Sequence, residues 1–174
     1  MTEGVRLTRE AVATIAVEAE ASKDELETGG ILLGFDADAL GEALVMEAGG
    51  PGPRAERRRD FFRRDLEHAQ ALADDAFTRT TARWVGEWHT HPHGQLAPSR
   101  KDLRTYRSFL RDPELAFESF VAVIVGPGTE GWQKPRAAAW LIETRRVLPA
   151  LLLPSAERLE IVMETLPSED EAGV

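Results

Sequence analysis

Apolar residues recur along the chain with two different periods, and the switches between them mark out elements. In residues 8–21, TREAVATIAVEAEA, the side chains of Val12, Ile15, Ala16 and Ala19 fall at helical spacing behind Thr8, a residue type suited to capping a helix N-terminus. ETGGILLGF (27–35) then runs into an apolar stretch, and EALVMEA (42–48) follows across DADALG; both predict strands, the first buried. The glycines and prolines of 48–60 predict a loop. Helical spacing returns from Arg64 to Ala82, with Leu66, Ala69, Leu72, Ala73, Ala76 and Phe77 on one face. ARWVGEWH predicts a strand, and Ser99 to Arg111 a helix stopped near Pro113. FESFVAVIVG (117–126) predicts a buried strand, AAAWLIETRRVL (137–148) another that bends after Thr144, and SAERLEIVMETL a last short helix. Residues 167–174 carry mostly acidic and small side chains and predict a disordered tail. No repeat or linker interrupts residues 1–166, so the pattern predicts one α/β domain, a mixed central sheet flanked by helices.

Composition narrows the chemistry. The 174 residues suffice for one hydrophobic core without disulfide staples. The net charge of −9 argues against broad nucleic-acid binding. There is no cysteine, so thiolate nucleophiles and thiolate ligands are excluded and any metal must bind nitrogen and oxygen. No apolar run reaches the roughly 18 residues of a membrane span and the N-terminus has no signal-like apolar region, so a cytoplasmic protein with no membrane partner is expected.

Three of the four histidines stand at alternate positions in GEWHTHPHGQLAPSRKD (86–102), followed by a serine and an aspartate. At a strand end, His89 and His91 project to the same side and can face one ion. Ser99 as N-cap puts Asp102 at the third helical position, a capping-box arrangement. Pro92, Gly94 and Pro98 let the intervening loop fold the helix start back onto the strand end. A His-x-His pair alone is weak evidence for a metal, and Ser-x-x-Asp alone is a routine helix start; the joint spacing is much more specific. Two nitrogens and one carboxylate would leave a tetrahedral zinc with an open position, as catalytic sites have.

H-x-H, seven residues, S-x-x-D resembles the signature of the JAMM metalloproteases, also called MPN-plus or JAB domains, and GEWHTHP is especially similar to their prokaryotic members. ETGGILLG (27–34) is similar to the upstream E-x-G-G-x-L-x-G segment of that family. The resemblance covers about Glu27 to Gly126. It implies the JAB/MPN fold, a cytidine-deaminase-like sandwich. It also implies one zinc per chain on His89, His91 and Asp102, with Glu27 as general acid/base acting through the zinc's water and Ser99 steadying the oxyanion. The implied activity is that of a zinc isopeptidase or peptidase that cuts after the C-terminal tail of a ubiquitin-like protein. Activating and conjugating enzymes of the same pathway are the further partners. The alternative is a DNA-associated role like that of RadC-type relatives, which usually read HNHPSG where this chain has HTHPHG.

Neighbouring residues have plainer readings. Glu25 competes with Glu27 but reads as a solvated loop carboxylate. His93 reads as a surface or cleft-rim side chain, because Pro92 turns the chain, and His68 as a surface residue. The six arginines of RAERRRDFFRR (54–64) read as a solvated loop and helix start held by Asp60 and Asp65, with Phe61 and Phe62 anchoring it to the core. Trp84 and Trp88 read as core packing.

Overall fold

The computed structural model describes residues 3–22, 24–37, 41–148 and 151–163. The expected acidic tail, 167–174, lies outside the described residues. The chain begins with a short strand, β1 (Gly4–Leu7), which no sequence pattern predicted because four residues are too few to show a period. Helix α1 (Arg9–Ala21) follows, and the Thr8 hydroxyl caps it as expected by accepting the Ala11 amide. Strands β2 (Gly29–Phe35) and β3 (Glu42–Ala48) stand where predicted. The expected loop before the second helix contains a small hairpin, β4 (Glu56–Arg58) and β5 (Phe61–Arg63). Then come α2 (Leu66–Thr80), β6 (Arg83–Thr90), α3 (Arg100–Arg111), β7 (Phe120–Gly128), β8 (Gly131–Leu148) and β9 (Leu151–Met163).

The mixed sheet has the order β1-β3-β2-β6-β7-β8-β9 and closes on itself, because β1 pairs in parallel with both β3 and β9. β6 and β7 are also parallel, while the other neighbours are antiparallel. The helix predicted over SAERLEIVMETL is therefore a correction: residues 155–163 belong to β9, paired with β8 on one side and β1 on the other. Long-range pairing overrides the modest helix preference of its Ala, Glu and Leu residues. β8 was expected to bend after Thr144; its pairing with β9 continues through Thr144 and Arg145, and the register shifts between Arg146 and Leu148.

Both faces of the sheet are covered, which is why its central strands read as unbroken apolar runs. On β7, Val121, Val123 and Val125 pack with α1 residues Ala11, Ile15 and Ala19, while Phe120 and Ala122 pack with Tyr106 of α3. On β2, Leu32 joins the α1 side, while Ile31 and Leu33 meet Ala69 and Ala76 of α2. The buried face of α2 is narrower than its apolar spacing suggests: Leu66 is 67% and Phe77 55% exposed.

A β-bulge sets the direction of the site. Leu32 pairs with Gly86 but Leu33 pairs with Trp84, so Val85 is an extra residue in β6. Trp84 consequently lies on the α3 side, edge-on to Phe109, Phe117 and Phe120, while Trp88 is buried on the α1 side with its Nε1 donating to the Gly49 carbonyl at 2.9 Å. Both tryptophans are core residues, as expected, but on opposite faces. Beyond the bulge Glu87, His89 and His91 alternate with Trp88 and Thr90, and His89 faces α3.

Candidate metal centre

Each donor of the predicted site is placed by its own local device. Thr-Gly-Gly after Glu27 lets β2 lie unusually close to its neighbours. A Cβ on Gly29 would stand 2.2 Å from the Trp88 carbonyl oxygen, and one on Gly30 1.9 Å from that of Gly49. The Thr28 amide donates to Thr90 Oγ at 2.9 Å, clasping the residue after Glu27 to the residue between the two histidines. At Gly94 φ is +80°, the left-handed turn by which the chain leaves the histidines for α3. There the predicted capping box forms: Asp102 N–H donates to Ser99 Oγ at 3.1 Å, and Ser99 N–H to Asp102 Oδ2 at 2.6 Å.

These devices bring three donor atoms together. His89 Nε2 and His91 Nε2 are 3.0 Å apart, and Asp102 Oδ2 lies 3.6 and 3.4 Å from them. Glu27 is 8% exposed and lines one small cavity with His89, Asp102 and Glu87. Burial pushes its carboxyl up to about 6 against the opposing influence of His89 and His91. Burial would also raise the Asp102 carboxyl, but the two histidines beside it outweigh that and hold the group far below the usual carboxylate range. Burial would lower the His89 imidazole; Asp102 outweighs it and raises it.

The donor set suits a metal. The His91 Nδ1 lies 2.6 Å from the Gln95 carbonyl oxygen, so that nitrogen carries the proton and Nε2 keeps its lone pair for a cation. Two nitrogens and a carboxylate oxygen converging from a buried strand end and a capped helix are what a borderline-soft divalent ion takes.

The remaining candidates separate. Glu25 has φ +59°, is exposed, and pairs with Arg59 at 2.9 Å, away from the three donors. His93 is exposed on the rim of a cleft of about 350 Å³ that Glu27, His91 and Ser99 also line. His68 is half-buried rather than a surface residue, packed beside Gly52. The six arginines are all ion-paired, to Asp24, Glu25, Glu56, Asp65, Glu67 and Glu87. Of the two holders expected, Asp65 takes Arg54, but Asp60 accepts from Lys101 instead. Phe61 and Phe62 correct the expected core anchor: they line the cavity above Glu27 and His89, and Lys101 lies 4.5 Å over the Phe61 ring. Sequence reading missed Tyr106, Glu87 and Gln95, whose contacts cross elements and have no short motif.

A profile of the family described as prokaryotic homologs of the JAB domain matches residues 8–143. The chain belongs to the prokaryotic JAB family. This JAB protein is 35% identical over 129 residues to a probable metalloprotease of Sinorhizobium fredii, covering 71% of this chain and 76% of that one. It is 31% identical over 105 residues to a CD-NTase/cGAS isopeptidase of Enterobacter hormaechei, covering 60% of this chain and 58% of the relative. The JAB fold is shared with a solution structure from Desulfitobacterium hafniense at a TM-score of 0.62 and 21% identity, over 92% of both chains. Relatives so named support a peptidase or isopeptidase, and a metal. No helix of this JAB protein, among the described residues, is long and apolar enough to cross a membrane.

Proposed function

We propose that the chain is a zinc-dependent isopeptidase or peptidase that hydrolyses the bond after the C-terminal tail of a ubiquitin-like protein, freeing it from a conjugate or trimming a precursor. The observation that carries this reading is the convergence of His89 Nε2, His91 Nε2 and Asp102 Oδ2 beside the buried Glu27 carboxyl. The relative named as a CD-NTase/cGAS isopeptidase supports a conjugate as substrate. Enzymes that activate and conjugate the same ubiquitin-like protein are the partners this reading implies.

His89, His91 and Asp102 would hold one zinc. The ion supplies Lewis acidity, polarising the scissile carbonyl and making water acidic enough to attack near neutral pH. Glu27 takes the proton from the attacking water. It returns that proton to the leaving amine as the C–N bond breaks, so the amide and one water become a carboxylic acid and an amine. A carboxyl raised to about 6 by burial is matched to both halves of that task. Ser99 Oγ already accepts the Asp102 amide, which leaves its own O–H free to donate to the developing oxyanion. Phe61 and Phe62 help exclude bulk water from the cavity.

The test is incubation of the purified chain with ubiquitin-like proteins carrying C-terminal extensions, with and without chelator, and mass spectrometry of the products. Cleavage at the end of the ubiquitin-like tail, abolished by chelator and restored by zinc, is expected. Cleavage that persists with the metal removed would overturn the zinc reading; chelator-sensitive cleavage at unrelated sequences would overturn the ubiquitin-like substrate.

A further inference from the structure

The two histidines are oriented by different means. His91 leans on a backbone carbonyl four residues away. Among the described residues His89 has no backbone partner at Nδ1; the group facing that nitrogen is the Tyr106 hydroxyl of α3, at 3.4 Å. Tyr106 is completely buried, with its ring 5.2 Å from that of Phe120. The Glu87 side chain, two residues from His89 on the same face of β6, is a hydrogen-bond partner of the same hydroxyl. Glu87 in turn is bound by Arg64 at 2.6 Å, a pair whose side chains are only 11% and 10% exposed. The Arg64 guanidinium itself rests against two rings, 4.7 Å from that of Trp84 and 5.2 Å from that of Phe109.

A buried ion pair is a poor stabiliser, since apolar side chains of similar volume often serve as well or better. Here it stands at the far end of a chain of polar groups that ends on a candidate ligand. The proton directions fit one arrangement. Arg64 donates to Glu87, Tyr106 O–H is turned toward Glu87, and the Tyr106 oxygen is left to accept from His89 Nδ1–H. That leaves His89 Nε2 unprotonated, pointing at His91 Nε2 and Asp102.

We propose that Tyr106, held by the Arg64–Glu87 pair, is a positioning residue that fixes the tautomer and ring orientation of His89 for metal binding. The inference rests on the metal reading above. Partners of this kind behind a ligating histidine typically affect metal affinity by about 10- to 100-fold.

The experiment measures zinc affinity by chelator competition and the His89 tautomer by nitrogen NMR of the full chain in chelator, so one readout does not depend on the ion. Tyr106→Phe keeps the ring and its packing and removes only the hydroxyl. Its zinc dissociation constant should rise by roughly 10- to 100-fold, and His89 should lose its preference for Nδ1–H. Glu87→Gln, which keeps an acceptor but removes the charge, should move both readouts the same way by less; it carries the test if Tyr106→Phe does not fold. Zinc affinity within about twofold of the parent, with His89 still protonated at Nδ1, would overturn the proposal, because loss of a merely structural hydroxyl predicts that result. A parent chain that binds no zinc yet shows His89 fixed at Nδ1–H, with the preference lost in Tyr106→Phe, would support the positioning role and overturn the metal reading instead.

Discussion

The floor of the cleft and its roof are held by different forces. The floor is β6 and the start of α3, fixed by backbone pairing to β2 and β7, by the Thr28–Thr90 clasp and by the capping box. The roof is the β4–β5 hairpin, three residues to a strand, held by the Glu27 amide donating to the Arg58 carbonyl at 2.8 Å and by charged side chains open to water, such as Arg59 on Glu25. Exposed pairs of that kind contribute about 0–1 kcal/mol each and weaken with salt. Chemistry is thus placed by the backbone, and access to it in good part by electrostatics. An arginine also joins the two. Arg57 Nε donates to the Glu27 carbonyl at 3.1 Å, and its other nitrogens reach Leu26, Ser22 and Asp24, so the roof is fastened to the segment that carries the candidate general base.

The largest effect expected is at Glu27. Glu27→Gln is nearly isosteric and should keep fold and zinc while turnover falls by about 10²–10⁴, the usual contribution of a positioned acid/base. Metal analysis beside single-turnover kinetics checks both halves; loss of zinc would make Glu27 a ligand. Arg57→Ala ranks next. It releases the Glu27 and Leu26 carbonyls, and a shift near 1 Å at a catalytic group costs up to ~10²-fold. Turnover should drop more than melting temperature. A variant with normal kcat and reduced stability would mean that floor and roof are independent.

Gly30→Ala tests the floor without removing any side chain. Its Cβ would collide with the Gly49 carbonyl, and overpacking of that sort costs about 1–3 kcal/mol, read as a lower urea midpoint at unchanged slope. The smallest effect is expected at the rim, where His93→Ala should keep zinc and most activity. Loss of metal there would show that the ligand set includes His93.

How far the sequence carried the reading follows the same divide. The capping box of Ser99 and Asp102, the His89–His91 pair and the apolar strands were legible because each is a local pattern, complete within one or two elements. The hairpin was not: ERR and FFR are too short to show alternation, and Arg57, which fastens it, finds its partner Asp24 in a distant part of the chain. β9 was read as a helix because among its described side chains Leu159 alone is fully buried, and its long-range pairing to β1 cannot be seen in its own residues. Tyr106 was not singled out, since nothing in its neighbours announces that its hydroxyl faces His89.

The capping box also bears on the order in which the molecule comes together. The three donors all fall between positions 89 and 102, so the chain joining them is short and its closure is entropically cheap, a matter of about 10–100 ns for loops near ten residues. Glu27 must instead wait for β2 to find β6 across 62 positions of sequence, the kind of non-local pairing that makes folding slow. The two halves of the candidate site are therefore assembled by events of different range, the three donors by a local turn and Glu27 by sheet formation.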